Sequence, residues 1–398
     1  MEYLESESQM DYRKKKLQYR PIFSTLSANP GAELIRYGRD KAGSITLAQG
    51  QGDAATPDFI CDAVNEAMRE GKTFYGSPIG EAPLREEISA YYKRIFDLDL
   101  PTNRIFVTNS GTTAMDYALT ALLDPGDDVI AITPIWKNLL NAIEVAEANA
   151  IEVPLNENNG RWTLDLDKVF DSVTDKTRAI LIVSPSNPTG WVISPDEIKA
   201  LLEFSRKTGI WIVADEVYNR LTLFEDHAPS FLEYSQERDF LLTVNSFSKA
   251  WAMTGWRLGW LVGPPCAEAI IRDIALYNTM GPPTPLQYGG IAALRDGEEF
   301  IKCQKQAWIS NREILIERFK DHPRINMTPP DATFYSFFRI EGEDKCVSMC
   351  KDLVDDVGLV LAPGIGFGKD CAGYLRLCYA VSEDLLNEAL DRLEKAVR

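Results

Sequence analysis

Between about residues 100 and 250 the chain alternates short, almost wholly apolar runs with longer stretches whose apolar positions recur every three to four residues. The apolar runs are RIFVTN (104–109), DDVIAIT (127–133), AILIVS (179–184), GIWIVADE (209–216) and FLLTVNSFS (240–248). Runs of this length that are apolar at successive positions fit strands buried on both faces. The stretches between them, TTAMDYALTALL (112–123), NLLNAIEVAEA (138–148) and SPDEIKALLEFSRKTG (194–209), have helical spacing. The last carries Ser194 as an N-cap with Pro195 at the first helical position. Strand and helix in strict alternation predict an α/β fold with a mostly parallel sheet covered by helices.

After about residue 285 the texture changes. One long amphipathic stretch, LQYGGIAALRDGEEFIKCQKQAWISNREILIERF (286–319), is followed by TFYSFFRI (333–340), a further helical segment and YLRLCYA (374–380). This predicts a second, smaller α+β domain at 286–398, opened by an inter-domain helix. Residues 1–50 precede the first strong strand and are expected to pack with that C-terminal part as an arm, leaving 51–285 as the large domain.

At 398 residues the chain is longer than one core usually serves, which agrees with two closely packed domains. Hydrophobic residues make up 45 % and charged residues 25 %, which excludes a disordered chain. A net charge of −17 argues against nucleic acid and anionic membrane surfaces as partners and leaves small molecules. The opening MEYLESESQMDYRKKK has no apolar core of the signal-peptide kind, and no apolar run approaches a membrane span. Seven cysteines without a metal-type CxxC pair suit a reducing cytoplasm. The two histidines, His227 and His322, stand in no ligand-spaced cluster, so no metal site is expected.

The densest chemistry lies in SFSKAWAMTGWRLGW (246–260), where Ser246, Ser248, Lys249 and Arg257 follow an apolar run. A lysine becomes a nucleophile when burial and neighbouring positive charge lower its pKa. Two hydroxyls and a guanidinium provide the donors and the permanent charge that a phosphate monoester needs. Taken singly, the segment also reads as helix charges beside a capped turn. Other motifs follow the remaining apolar runs: VTNSGTTAM (107–115), TPIWKN (133–138), SPSNPTG (184–190) and WIVADEVYNR (211–220). Each has an ordinary alternative as a turn, a cap or a core aromatic. Together they place polar residues at the carboxyl edge of a sheet, where open α/β sheets bind ligands.

In this order and spacing, from about residue 20 to the end, the motifs resemble the class I/II aminotransferases. These are fold type I enzymes of the aspartate aminotransferase kind that use pyridoxal 5′-phosphate (PLP). The resemblance implies a large domain with a mostly parallel seven-stranded sheet and a small domain built from both termini. Lys249 would hold the cofactor as a Schiff base and move protons. Asp215 would face the pyridine nitrogen, and Tyr218 and Asn187 the 3-oxygen. Trp136 would stack on the ring, while Ser110, Gly111, Thr112, Ser246, Ser248 and Arg257 would hold the phosphate. Arg376 in YLRLCYA would pair with the substrate α-carboxylate, and Gly50 in LAQGQGD would let backbone approach it. Tyr75 would reach the cofactor phosphate of a neighbouring subunit, which implies a homodimer with shared active sites.

The implied reaction moves an amino group between an L-2-amino acid and a 2-oxo acid in two half-reactions. Thr112 stands where aspartate-preferring relatives of the closest subgroup tend to carry lysine, and Gln51 and Gly52 replace a glutamate-proline pair. Lys137 beside Trp136, or a charge from the partner subunit, could replace the missing lysine, and the amino donor stays open. So do other readings of the same scaffold: a PLP-dependent carbon-sulfur lyase or another fold type I PLP enzyme, and a non-catalytic PLP-binding regulator.

Overall fold

The computed structural model describes residues 20–26 and 29–397. Its centre is a seven-stranded sheet whose spatial order is Ile105–Thr108, Gly259–Val262, Leu241–Ser246, Trp211–Asp215, Thr177–Val183, Asp128–Thr133 and Asn149–Pro154. Gly259–Val262 runs antiparallel to both of its neighbours, and the other pairings are parallel. The apolar runs of the sequence are four inner strands and the edge strand Ile105–Thr108: every residue of Ile105–Thr108, Asp128–Thr133 and Leu241–Ser246 is buried. Burial on both faces is what removes the alternation that a half-exposed strand would show.

Two strands were not marked by that criterion. Asn149–Pro154 lies at the sheet edge and is only partly buried, so Asn149 and Glu152 interrupt its apolar positions. Gly259–Val262 is concealed inside the segment read for its lysine and arginine.

Helices Gly111–Leu122 and Pro195–Thr208 cover the sheet as their spacing predicts. The second opens with a full capping box: Ser194 accepts from the Glu197 amide while the Glu197 carboxylate accepts from the Ser194 amide, with Pro195 in the first turn. The long amphipathic stretch after residue 285 is two helices rather than one, Thr284–Asp296 and Glu298–Phe319. The break falls at Gly297, where a Cβ would lie 2.5 Å from two atoms of the Trp251 indole, so only glycine lets the chain turn there.

A second sheet, ordered Ile325–Met327, Tyr335–Ile340, Tyr374–Cys378 and Ala362–Pro363, is antiparallel throughout. The N-terminal part joins this region: Ile45–Thr46 pairs in parallel with Leu359–Val360. The fold is therefore α/β with a mostly parallel seven-stranded sheet and a smaller α+β portion drawn from both ends of the chain. No helix among the described residues is long and apolar enough to cross a membrane.

Candidate active site

The carboxyl ends of the parallel strands converge on a cavity of about 340 Å³. Its walls include Gly50, Gly111, Thr112, Trp136, Asn187, Asp215, Tyr218, Ser246, Ser248, Lys249, Arg257 and Arg376, nearly the whole set that the motifs mark. Ser110 is buried at the N-cap of Gly111–Leu122, where its hydroxyl accepts from the Thr113 amide at 3.0 Å. Tyr75 is the exception: it is 87 % exposed and does not line the cavity.

One end of the cavity is built for an anion. The first turn of Gly111–Leu122 leaves backbone N–H groups unpaired by the helix, and its dipole favours negative charge. Ser246 caps the short helix Phe247–Ala250, and its hydroxyl lies 3.0 Å from that of Ser248. Arg257 adds a permanent cation from a left-handed backbone conformation, φ 54°, braced by its guanidinium donating to the Thr254 carbonyl at 2.8 Å. A non-glycine residue held there costs about 1 kcal/mol or more, a cost typical of functional sites. Gly259 lies behind this corner: a Cβ on it would come within 2.6 Å of the Gly111 amide nitrogen.

The middle of the cavity holds an acid and an amine displaced from their ordinary states. Asp215 ends its strand with only the Val217 amide donating to it, at 3.2 Å, and burial raises its pKa to about 7. The Lys249 Nζ donates to the Gly50 carbonyl at 2.5 Å. Burial, seconded by the Arg376 charge, lowers the Lys249 pKa to about 8.

The third part is a chain of hydrogen bonds. Arg376 donates to Asn187 Oδ1 at 2.9 Å and to the Ala48 carbonyl. Asn187 donates through Nδ2 to the Tyr218 hydroxyl at 3.3 Å. Among the described residues the buried Arg376 Nε finds no partner, so this guanidinium keeps donor capacity for a ligand.

Tyr335 is the member that the motifs miss. It is fully buried, 3.0 Å from the Tyr218 hydroxyl, with its ring centroid 4.5 Å from the Arg376 guanidinium carbon. The run TFYSFFRI contains it, but nothing in an apolar strand distinguishes a lining tyrosine from its core neighbours. Gly50 also takes on a different meaning, because a Cβ there would collide with the Tyr335 hydroxyl.

These donors fit PLP by their own chemistry. An anion corner suits its phosphate, an amine with lowered pKa its aldehyde, and an unpaired buried carboxyl its pyridine N–H.

The model of the family described as aminotransferase class I and II matches residues 42–393. An aspartate aminotransferase of Thermotoga maritima is 31 % identical over 383 residues, spanning 96 % of this chain and 98 % of that protein. The crystal structure of a Thermotoga maritima aspartate aminotransferase superposes with a TM-score of 0.87 at 29 % identity, covering 95 % of this chain and 99 % of the other. The N-succinyldiaminopimelate aminotransferase of Mycobacterium tuberculosis gives 0.89 at 26 % identity, covering 95 % of this chain and all of that one. With the profile spanning both sheets and every cavity strand, the chain belongs to the class I and II aminotransferases, and it is an enzyme of that family, a transaminase.

Proposed function

We propose that the protein uses PLP to move an amino group between an L-2-amino acid and a 2-oxo acid. The observation that carries this reading is the opposed displacement of Lys249 and Asp215 within one cavity: an amine that is readily neutral near pH 8 beside a carboxyl with no cationic partner. When bound, PLP supplies an aldehyde that takes the amino group and a ring that withdraws electrons from the substrate α-carbon.

Lys249 would form the covalent attachment and, once freed, take a proton from the substrate α-carbon and return it as the reaction proceeds. The carboxylate of Asp215 would accept a hydrogen bond from the pyridine N–H and keep that nitrogen protonated. Asn187 and Tyr218 would donate to the 3-oxygen, and Trp136 would cover the ring face. Ser110, Gly111, Thr112, Ser246, Ser248 and Arg257 would hold the phosphate. Arg376 would receive the α-carboxylate with the donors it has left over, Gly50 lying beside that carboxylate.

The side-chain wall includes Ile35, Trp136 and Phe367, and with them Lys137, a half-buried cation without an ion-pair partner among the described residues. That combination favours a donor with a short apolar stem and a terminal carboxylate. The names of the aspartate aminotransferase relatives support the same class.

A homodimer with shared sites is part of this reading. Phe74 and Tyr75 are 81 % and 87 % exposed, which is unusual for adjacent aromatics unless a second subunit covers them. The division into an arm at 1–50, a large domain at 51–285 and a small domain at 286–398 belongs to the reading too, as does a cytoplasmic location.

The test is to load the protein with PLP, record its visible band, and add aspartate, glutamate, aromatic and branched amino acids in turn. Transamination predicts loss of the band, a 2-oxo acid matching the donor, and band recovery on adding 2-oxoglutarate. Release of pyruvate and ammonia with the band intact would make the protein a lyase. A Lys249→Ala variant with an unchanged band and turnover would remove the assignment altogether.

A further inference from the structure

Arg376, Asn187, Tyr218 and Tyr335 close on themselves. The guanidinium can only donate, so the Asn187 oxygen must face it and the Asn187 amide must face Tyr218. Tyr218 is thus an acceptor from Asn187, and one further bond joins it to Tyr335 at 3.0 Å. The Tyr335 ring then returns to the start, lying under the Arg376 guanidinium at 4.5 Å while Phe367 offers a second ring at 5.0 Å.

The direction of the Tyr218–Tyr335 bond follows from supply and demand. Among the described residues the Tyr335 hydroxyl has no other hydrogen-bond partner, and it is packed against Gly50. If Tyr335 donates, its proton is satisfied and Tyr218 keeps its own proton for the cavity. If Tyr218 donated instead, the Tyr335 proton would be stranded without an acceptor in a fully buried position, the costlier arrangement. Donation by Tyr335 therefore prevails whenever an oxygen in the cavity can accept from Tyr218.

We propose that Tyr335 is a positioning residue with two functions: its hydroxyl fixes Tyr218 as a donor into the cavity, and its ring holds the plane of the Arg376 guanidinium. This rests on the reading of the cavity as a PLP site, in which Tyr218 donates to the 3-oxygen and Arg376 takes the α-carboxylate. Tyr335 lines the same cavity and in that reading acts through Tyr218 and Arg376, which it joins, so a carboxylate arriving at Arg376 acts on the ring that orients Tyr218.

The test uses PLP-loaded protein and the pH midpoint of its visible band, which reports the proton held between the lysine nitrogen and the cofactor 3-oxygen. Removing the Tyr335 hydroxyl makes Tyr218 a weaker donor. The 3-oxygen then carries negative charge less well, and the neighbouring proton is held more tightly. Tyr335→Phe should raise the midpoint by about 0.5 pH unit, the size of one hydrogen bond of ordinary net strength.

In a Tyr218→Phe background the same substitution should shift nothing. Affinity for succinate, an unreactive dicarboxylate, should stay within about twofold in Tyr335→Phe, which keeps the ring, and weaken about tenfold in Tyr335→Leu, which loses it. A Tyr335→Phe midpoint equal to wild type, or a shift that persists without the Tyr218 hydroxyl, overturns the proposal while leaving the PLP reading intact. Absence of any visible band in the loaded wild-type protein would overturn the PLP reading itself.

Discussion

Asp215, at the end of its strand, and Lys249, in the short helix after the neighbouring strand, face one cavity, yet they do not pair: the lysine nitrogen donates to the Gly50 carbonyl and the carboxyl accepts from the Val217 amide. Burial raises the acid to about 7 and lowers the amine to about 8. A close ion pair would have moved both the other way. Each group is held in a state that costs stability, which makes the consequences measurable.

Asp215→Asn should make the cofactor-free protein more stable and the loaded enzyme slower. The folded-state pKa of Asp215 lies above its unfolded value of 3.8. Between those values the folded state binds a proton that the unfolded state lacks, so wild-type stability falls as pH rises through the window. Asparagine never ionises. Its advantage should be absent near pH 4, grow to pH 7 and level off at on the order of 4 kcal/mol. Urea denaturation at pH 4.5 and pH 8 checks the stability, and kcat should fall on the order of a hundredfold or more.

Capture of PLP by the cofactor-free protein should follow the neutral fraction of Lys249. The second-order rate should rise about tenfold per pH unit below pH 7.5 and flatten beyond the group's pKa of about 8. Arg376 is the largest charge holding that value down, so Arg376→Met should move the midpoint upward. Stopped-flow absorbance over pH 6 to 9.5 gives both curves.

Gly259→Ala should damage the anion corner from behind. The new methyl would lie 2.6 Å from the Gly111 nitrogen and 2.7 Å from both the Asn245 oxygen and the Ser110 carbonyl carbon, all backbone atoms that cannot rotate away. Overpacking of this kind costs about 1–3 kcal/mol. A lower melting temperature should accompany a PLP affinity reduced about tenfold or more, measured by fluorescence titration.

Lys137→Met should separate acidic from neutral donors. With the wall cation gone, KM for aspartate and glutamate should rise about tenfold, while KM for a neutral donor of similar size stays within about twofold. Initial-rate kinetics on the four substrate and protein combinations decide it. Equal changes for both donor classes would leave Lys137 without a role in recognition.

Much of the fold could be read because the inner strands are buried on both faces and so consist of continuous apolar runs, as in Asp128–Thr133. Capping chemistry marked Ser194 and Pro195 in the same way. The edge strand Asn149–Pro154 escaped because one exposed side permits polar residues, and the helix break at Gly297 escaped because its cause, the Trp251 ring, lies 46 residues away along the chain. Site residues were legible where they follow a strand end in a short polar motif, as Asn187 and Asp215 do. Tyr335 sits inside an apolar strand, and only the cross-sheet register that sets it opposite Cys378, two residues beyond Arg376, brings it to the cavity.

The parallel pairing of Ile45–Thr46 with Leu359–Val360 sets a timetable for the chain as it is made. Every strand of the seven-stranded sheet has been synthesised before residue 263, so that sheet can pair while the ribosome is still adding the last third of the protein. Ala48, whose carbonyl accepts from Arg376, must wait for a partner 328 residues downstream, whereas Gly50 accepts from Lys249 only 199 residues on. A nascent chain stopped before residue 359 would therefore carry a finished sheet with the Arg376 side of the cavity still missing, and the cavity would be complete only after synthesis passes this late pairing.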